Sequence, residues 1–343
     1  MDLQISALLA QDGIVNGAIY ALLALALVLV FSVTRVIFVP QGELVALGAL
    51  SLATLQAGHT PPTLWLLLAL AAGVLLVELV RQQRGLAVDW PVTLVWTLLL
   101  PGAAALMSLA LKPTGLAGQV GTTLLLITPM GPLLYRLAFR PLADATVLTL
   151  LIAAVALHGV LVGLGLYLFG PEGFSTSRFS EARFDVGNGI QITGQSLVVV
   201  GVAAALSALL FVFFERSIVG KALRATAVNR VGARLMGIPT SLAGDLSFAL
   251  AALIGAVSGM LVAPITTIQY DTGFLMGLKG FVAAIIGGLA SYPLAMAGAV
   301  LVGLLESFSA FWASALKEVI VFTLIIPVLL WRSLRSRHVE EDE

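Results

Sequence analysis

Apolar runs of about twenty residues recur along the whole chain, and they constrain its fold more than any other feature. A run of this length can cross the hydrocarbon core of a bilayer as a helix. Backbone polar groups inside a bilayer must be paired within the protein, so spanning segments of this length are helical. Hydrophobic residues make up 59% of the chain and charged residues 10%, which excludes an ordinary soluble domain. The sequence therefore predicts an all-α, polytopic integral membrane protein.

We count about eleven predicted spans. They begin near residues 13, 38, 63, 92, 116, 144, 196, 241, 277, 293 and 319. The run from 277 to 289 is short for a full crossing, which leaves open a half-helix or part of a bent helix. Pro40 and Gly42 are expected to break the helix where the second span opens. Gly13 and Gly17 have the spacing that allows close contact between helices.

The distribution of basic residues predicts the orientation of the chain. With the N-terminus outside, 13 of the 18 lysines and arginines fall on the inner side of the membrane and 5 on the outer side. Because cytoplasmic loops carry the excess of Lys and Arg, this arrangement is the favoured one. We therefore expect an outer N-terminus and a cytoplasmic C-terminus, where the acidic tail after Arg337 is solvated.

A long polar region at 170–195 separates two of the spans and is expected to lie outside the membrane. Within it, the segments FDV and IQIT flank the turn-forming sequence Gly-Asn-Gly. Two short apolar segments around such a turn are typical of a β-hairpin. The sequence predicts a small hairpin in this external loop.

A second polar interruption, at 216–240, is basic and amphipathic. Its basic residues are Arg216, Lys221, Arg224, Arg230 and Arg234. Apolar residues recur at every fourth position and form the stripe Leu223, Ala227, Val231 and Leu235. The spacing predicts one amphipathic helix on the cytoplasmic side, with Lys221, Arg224, Asn229 and Arg230 off the stripe.

Two interpretations of the basic segment remain open from the residues alone. One is an ordinary cytoplasmic loop, whose arginines fix the orientation and touch anionic lipid. The other is a docking element for another protein. The apolar stripe favours docking, because a loop that only sets orientation needs no such stripe.

Candidates for a translocation path lie at the second and ninth spans. Glu43 is an ionisable group near a span, which is costly unless it is paired or faces water; alternatively it is solvated at the interface or caps a helix. Lys279 can attract a carboxylate, pair with Asp271 or Glu306, or reach to the outer surface. Glycines nearby allow either close packing or a broken helix. The full set of candidates is Gln41, Gly42, Glu43, Gly273, Lys279, Gly280, Gly287 and Gly288.

Other polar residues in the apolar runs are expected to serve packing. Glu78 should pair with Arg81 at the membrane interface, and Asp245 should lie in the first turn of its helix. His158 is expected to be a hydrogen-bonded packing residue, whereas Glu306 either makes a polar contact between helices or is a ligand in the translocation path.

Several classes of function are excluded by what the sequence lacks. It has no cysteine, which rules out disulfides and thiol chemistry, and its net charge of zero gives no reason to expect nucleic-acid binding. It contains no G-x-x-x-x-G-K-[ST] loop for nucleotide phosphates, no HExxH and no paired metal-ligand histidines. We therefore expect no enzyme activity, cofactor or metal on this chain, and any ATP must be hydrolysed by a separate chain.

Four segments resemble the permease subunits of the branched-chain amino acid (LIV-type) family of ABC importers. They are NGAIYALLALALVLVFSVTRVI, YRLAFRPL, KALRATAVNRVGARLMGI and GFLMGLKGFVAAIIGGLASYPLAMAGAVLVGLLE. The resemblance covers most of 12–60 and 117–335. In the loop that opens the second span, only Gly42 and Glu43 match the family's Asn, Ala, His, Gly and acid pattern, which leaves the substrate class open. Residues 61–115 look inserted and would add two helices to the family core.

The resemblance implies a single permease domain over 1–343, in the bacterial inner membrane. It implies a second permease subunit, which is either a copy of this chain or a related chain, and two cytoplasmic ATPases that bind ATP and Mg²⁺. It also implies an external solute-binding protein, which would contact the 170–195 loop. The cargo would be a branched-chain amino acid or a related small polar solute, moved by alternating access. The ATPases would bind 216–240 through Lys221, Leu223, Arg224, Ala227, Asn229, Arg230, Val231 and Arg234.

Two alternatives remain. A stand-alone, ion-coupled secondary transporter would carry internal repeats and several buried acids. A membrane-embedded enzyme acting on lipid would need clustered His, Asp or Glu at one interface.

Overall fold

The computed structural model of the chain describes residues 3–187 and 190–335. The acidic tail predicted after Arg337 lies outside these residues. The helices are α1 (Leu3–Thr34), α2 (Gln41–Gln56), α3 (Thr63–Gln83), α4 (Trp90–Leu94), α5 (Leu100–Ala105), α6 (Leu116–Ile127), α7 (Met130–Leu134), α8 (Val147–Phe169), α9 (Gly194–Arg216), α10 (Ile218–Val228), α11 (Arg230–Leu235), α12 (Thr240–Val262), α13 (Thr272–Ile286), α14 (Tyr292–Trp312), α15 (Lys317–Thr323) and α16 (Ile325–Arg335). Short π-helical turns are Val95–Leu99, Leu106–Leu111 and Tyr135–Phe139, and 3₁₀ turns are Arg140–Leu142 and Ser314–Leu316.

Among the described residues, nine helical stretches are long and apolar enough to cross a membrane. They are Gln4–Thr34, Thr63–Gln83, Trp90–Leu111, Leu116–Leu142, Val147–Phe169, Gly194–Arg216, Thr240–Val262, Tyr292–Trp312 and Ser314–Trp331. The predicted helical, multi-pass class is confirmed. The remaining two of the eleven predicted spans are α2 and α13, which have 16 and 15 residues and are shorter than the ~20 of a full crossing.

The hairpin predicted within 170–195 is present. Strands β1 (Arg183–Gly187) and β2 (Ile190–Thr193) pair antiparallel, with Arg183 opposite Thr193. The turn residues Asn188 and Gly189 lie outside the described part of the chain. Residues 61–115 hold α3 and the helical stretch Trp90–Leu111.

Helix α1 lies at the centre of the bundle and packs on α9, α12, α13 and α14. Its contact with α14 is close, because Gly303 meets the backbone of Gly13 and Gly17. The close contact predicted from these two α1 glycines is confirmed. Such small residues let two helices approach until their backbones touch, which maximises van der Waals contact where lipid offers no hydrophobic driving force.

The chain between α1 and α2 turns back into the protein interior. Arg35 ends α1 with a left-handed φ of 61°. The ring of Phe38 is fully buried and packs on Phe139 and Phe248, at centroid distances of 6.0 and 4.8 Å. Helix α2 therefore begins inside the bundle, after Pro40, which explains why it is too short to cross a bilayer.

Positions predicted to share a membrane face lie together. Asp12, Arg178 and Gln195 line one cavity at one end of the bundle. Ser32 and Ala290 line another, to which Phe214 and Arg224 also contribute. The sequence predicts the residues of the first cavity on the outer side of the membrane and those of the second on the inner side. Each cavity therefore brings together residues from one predicted side, as spans of alternating direction require.

Replacement of Gly303 by valine is expected to destabilise the protein by about 2 kcal/mol or more, since the new side chain overlaps the backbone of α1. The measurement is thermal unfolding of the purified protein in detergent. Gly163→Val is the matched control, because Gly163 lies on α8 with open space around it. Equal melting temperatures for the two variants would contradict the packing described here.

Candidate functional site

The first turns of α2 and α13 meet face to face. A Cβ on Gly42 would overlap the carbonyl oxygen of Gly273, and a Cβ on Gly273 would overlap that of Gly42. Gly277, one turn further along α13, also lies against the backbone of Gly42. Only glycine fits at such an approach, so two of the predicted path residues, Gly42 and Gly273, hold the two short helices together.

This contact lies halfway along the neighbouring spans. The side chain of Gln41 bonds to the carbonyl of Ala251, which is eleven residues from either end of α12. Glu43 bonds to His158, which is eleven residues from either end of α8. Because α8 and α12 are long enough to span the bilayer, the first turn of α2 lies near its midplane.

Glu43 is buried, with only 2% of its surface exposed, and is paired. Its Oε1 lies 2.8 Å from Nδ1 of His158, whose ring stacks on Phe274 at a centroid distance of 4.4 Å. The alternatives in which Glu43 is solvated at an interface are therefore wrong. His158 was expected to pack through hydrogen bonds, and it does so with the carboxylate that the sequence singled out.

Two oxygens in this first turn have no hydrogen-bond partner among the described residues. They are Oε2 of Glu43 and Oε1 of Gln41, whose Nε2 donates to the carbonyl of Ala251 at 2.9 Å. A buried acceptor without a donor is costly, and such atoms usually meet water or a ligand. The site thus offers two acceptors, suited to N–H donors, beside two helix N-termini, which favour anions.

Lys279 lies in a second buried polar cluster. Its Nζ donates to Glu306 at 2.5 Å and to Glu318 at 3.1 Å, and the hydroxyl of Tyr20 donates to Glu306 at 2.5 Å. The side chain is 7% exposed, so it does not reach the outer surface, and its ion pairs are with Glu306 and Glu318 and not with Asp271. Pairing with Glu306 was one of the predicted alternatives and is confirmed. Two carboxylates neutralise this lysine, which is therefore not free to attract a third.

The remaining glycine candidates lie away from the α2–α13 contact. Gly280 packs on Leu23 of α1, and Gly287 packs on Ala295 of α14. Gly288 has a φ of 67° in the turn that follows α13. These positions permit close packing and a tight turn, the alternative that the sequence left open for them.

Two ion-paired clusters join the helical turns that follow α7, at Tyr135–Phe139 and Arg140–Leu142, to α12 and α3. Arg136 donates to Asp245 at 2.5 Å and to the hydroxyl of Thr93 at 2.9 Å. Asp245 was expected in the first turn of its helix; it lies beyond that turn, because α12 begins at Thr240. The predicted pairing of Glu78 with Arg81 is confirmed at 3.3 Å. Arg140 adds a shorter contact to Glu78, at 2.7 Å.

The basic segment is not one helix. It forms α10 and α11, and Asn229 separates them by accepting a hydrogen bond from the backbone N–H of Gly232 at 2.8 Å. Asparagine is a preferred N-cap residue because its side chain satisfies such a free donor. The predicted continuous stripe is therefore wrong: Leu223 is 1% exposed, whereas Val231 is 70% exposed and Leu235 is 82% exposed.

Three of the four arginines of this segment bond within the chain. Arg224 pairs with Glu215 at 2.9 Å, Arg230 donates to the carbonyl of Ala143 at 3.1 Å, and Arg234 donates to Thr240 at 3.4 Å. Lys221 is exposed, and Ala227 packs partly against the core. Six large apolar side chains of 216–240 are exposed. Ile218 and Val219 lie at the start of α10, and the other four, which we call the apolar edge, lie at and around α11: Val228, Val231, Leu235 and Met236.

Breaking the pair at the midplane is expected to destabilise the protein. His158→Leu leaves the buried Glu43 carboxylate without its donor and should cost about 3 kcal/mol of unfolding free energy. His59→Leu, at an exposed histidine, is the control. A double variant, Glu43→Gln with His158→Leu, should recover part of the loss in thermal unfolding. Strictly additive effects of the two changes would show that the pair does not interact.

A comparison with known protein families finds a match to this chain. Residues 90–329 match the family described as "Branched-chain amino acid transport system / permease component". The match begins within 61–115, so the limits of an inserted segment stay a prediction. No solved structure matches the chain significantly.

Curated relatives agree with the family match. The chain is 30% identical over 234 residues to the high-affinity branched-chain amino acid transport system permease protein BraD of Pseudomonas aeruginosa, covering 66% of this chain and 76% of that protein. It is 31% identical over 236 residues to the high-affinity permease protein LivH of Escherichia coli K12, with the same coverage. A probable branched-chain amino acid transport permease, LivH of Methanocaldococcus jannaschii, is 30% identical over 189 residues, 53% of this chain and 60% of that protein.

Proposed function

The chain belongs to the family of branched-chain amino acid transport system permease components, and we propose that it is the membrane subunit of an ATP-driven importer. It is a multi-pass protein of the bacterial inner membrane. Its proposed partners are two cytoplasmic ATPases, a second permease and an external solute-binding protein. The ATPases would bind ATP and Mg²⁺, because this sequence has no phosphate-binding loop of its own.

The apolar edge on α10 and α11 is the observation that carries the proposal of ATPase partners. Large exposed apolar side chains in one place mark an interaction surface, and here basic residues surround them on an element outside the spans. The edge replaces the predicted stripe as the docking surface, since Leu223 is buried in the permease itself. When the docked ATPase moves, the membrane helices would move with it through two contacts. These are the packing of the buried Leu223 and the hydrogen bond from Arg230 to the carbonyl of Ala143.

The α2–α13 contact supports a translocation path at the midplane. Short helices whose N-termini meet near the midplane are typical of transporter binding sites. The free oxygens of Gln41 and Glu43 suit an ammonium or amide group, and the N-termini of α2 and α13 suit a carboxylate. An amino acid carries both groups. The proposed cargo is therefore a branched-chain amino acid or a related small polar solute, moved by alternating access with the N-terminus outside.

One observation favours a second candidate function, the ion-coupled secondary transporter. Glu43 with His158, and Lys279 with Glu306 and Glu318, are buried ionisable clusters of the kind that carry protons or ions across membranes. The two functions differ in their energy source. Uptake into liposomes by this chain alone, driven by an ion gradient, would select the secondary transporter.

Charge introduced into the apolar edge is expected to abolish binding of the ATPases. The double variant Val231→Glu/Leu235→Glu places two carboxylates on the exposed edge, where they would be desolvated in an interface. The measurement is affinity purification from the native membrane in mild detergent, followed by mass spectrometry of the proteins that accompany the permease.

The control for this experiment is Leu86→Glu, at another exposed leucine on the predicted cytoplasmic face. Wild type and Leu86→Glu should bring ATPase subunits with them, whereas the edge variant, still folded, should not. A wild-type chain that brings no ATPase would overturn the importer proposal.

Glu43→Gln is expected to lower solute uptake by the assembled complex about tenfold, because one charge-assisted hydrogen bond to the passing solute is lost. Uptake is measured in proteoliposomes that contain the ATPases and the binding protein. The control is Glu172→Gln, at an exposed glutamate of the external loop. Unchanged uptake by Glu43→Gln would remove this residue from the path.

A further inference from the structure

Two adjoining cavities lie at the predicted cytoplasmic ends of α1, α9 and α14. The larger, of about 270 Å³, runs between Leu25 and Leu29 of α1 and Leu210 of α9. The second, of about 250 Å³, lies beneath α10 beside Ser32. Phe214, Arg224 and Tyr292 line both cavities, so the two form one groove. From Leu25 to Ser32 the groove is about 10 Å long, at 1.5 Å per helical residue.

The walls of the larger cavity are almost entirely apolar, and their position makes them accessible from the bilayer. Leu25 and Leu29 face Phe211 and Leu210 across it, with Met296 of α14 beside them. Phe211 is exposed on the outer surface of α9, a helix whose length and composition suit a membrane span. A small polar solute gains nothing from such walls, whereas a hydrocarbon chain does.

The end of the groove near the predicted membrane surface is basic. Arg224 lies where the two cavities join, and it is half exposed. A guanidinium has five N–H donors, and Glu215 accepts from only one nitrogen, Nη2, at 2.9 Å. Lys221 lies three residues earlier on α10, close enough on the helix surface to share an anion with Arg224. The remaining donors of Arg224 suit a phosphate group.

We propose that this groove binds one anionic phospholipid of the cytoplasmic leaflet, with its phosphate on Arg224 and an acyl chain between α1, α9 and α14. The apolar wall excludes free inorganic phosphate as the preferred ligand, and the basic end favours an anionic over a zwitterionic headgroup. Because Arg224 belongs to α10, the lipid links α10 to α1 and α14. The site is independent of the proposed translocation path.

The test is native mass spectrometry of the purified chain, delipidated and titrated with phosphatidylglycerol or phosphatidylethanolamine in detergent. The delipidated wild-type chain should bind one phosphatidylglycerol molecule, about tenfold more tightly than it binds phosphatidylethanolamine. Ser207→Phe, which fills the groove from α9, and Arg224→Gln, which removes its charge, should each weaken binding of phosphatidylglycerol about tenfold.

Each variant has a neighbouring control that does not line the groove. Ala208→Phe adds the same ring on the exposed side of α9, and Arg216→Gln removes an exposed charge close by. Both should bind phosphatidylglycerol like wild type. Equal affinity for the two lipids, or full binding by Arg224→Gln, would overturn the proposal. A dimer in wild type that Ser207→Phe converts to a monomer would also overturn it, since the groove would then be a contact between two copies.

Discussion

The approach of two glycines, Gly42 and Gly273, is the constraint on which the rest of the interior depends. It allows the first turns of α2 and α13 to touch where a side chain on either residue would separate them. Both helices then begin inside the bundle, and their N-terminal ends meet halfway along α8 and α12. The contacts of Gln41 and Glu43 follow from this placement, because the described residues bring the backbone of Ala251 to Gln41 and the ring of His158 to Glu43.

The other buried charges follow one rule, which is that each has an opposite charge close by. Arg136 meets Asp245, and Lys279 meets Glu306. Ionised groups in a bilayer are tolerated when they face the bundle interior and pair there. The first pair joins residues 109 positions apart in sequence, and the second joins the consecutive helices α13 and α14. Five buried side-chain oxygens have no hydrogen-bond partner among the described residues, and two of them, on Gln41 and Glu43, lie together at the α2–α13 contact.

The sequence predicts the helices better than their partners. Apolar length alone locates the spans, and the thirteen-residue run at 277–289 correctly indicated a helix too short to cross. The pairing of Glu43 with His158 could not be predicted, because 115 residues separate them and only tertiary packing brings them together. Glu318 was missed as a partner of Lys279 for the same reason. The break at Asn229 was available from the sequence, since asparagine before a short helix is a capping signal; the four-residue apolar spacing obscured it.

Access to the α2–α13 contact from both sides of the membrane tests the central claim most directly. The natural sequence has no cysteine, so Phe274→Cys places a single thiol beside His158. Its reaction with a small thiol reagent added from one side of proteoliposomes, with and without ATP, would be followed in the assembled complex. Alternating access predicts reaction from one side without ATP and from the other side when ATP is bound. A complex that transports solute while this cysteine reacts from neither side in either state would contradict a path through this contact.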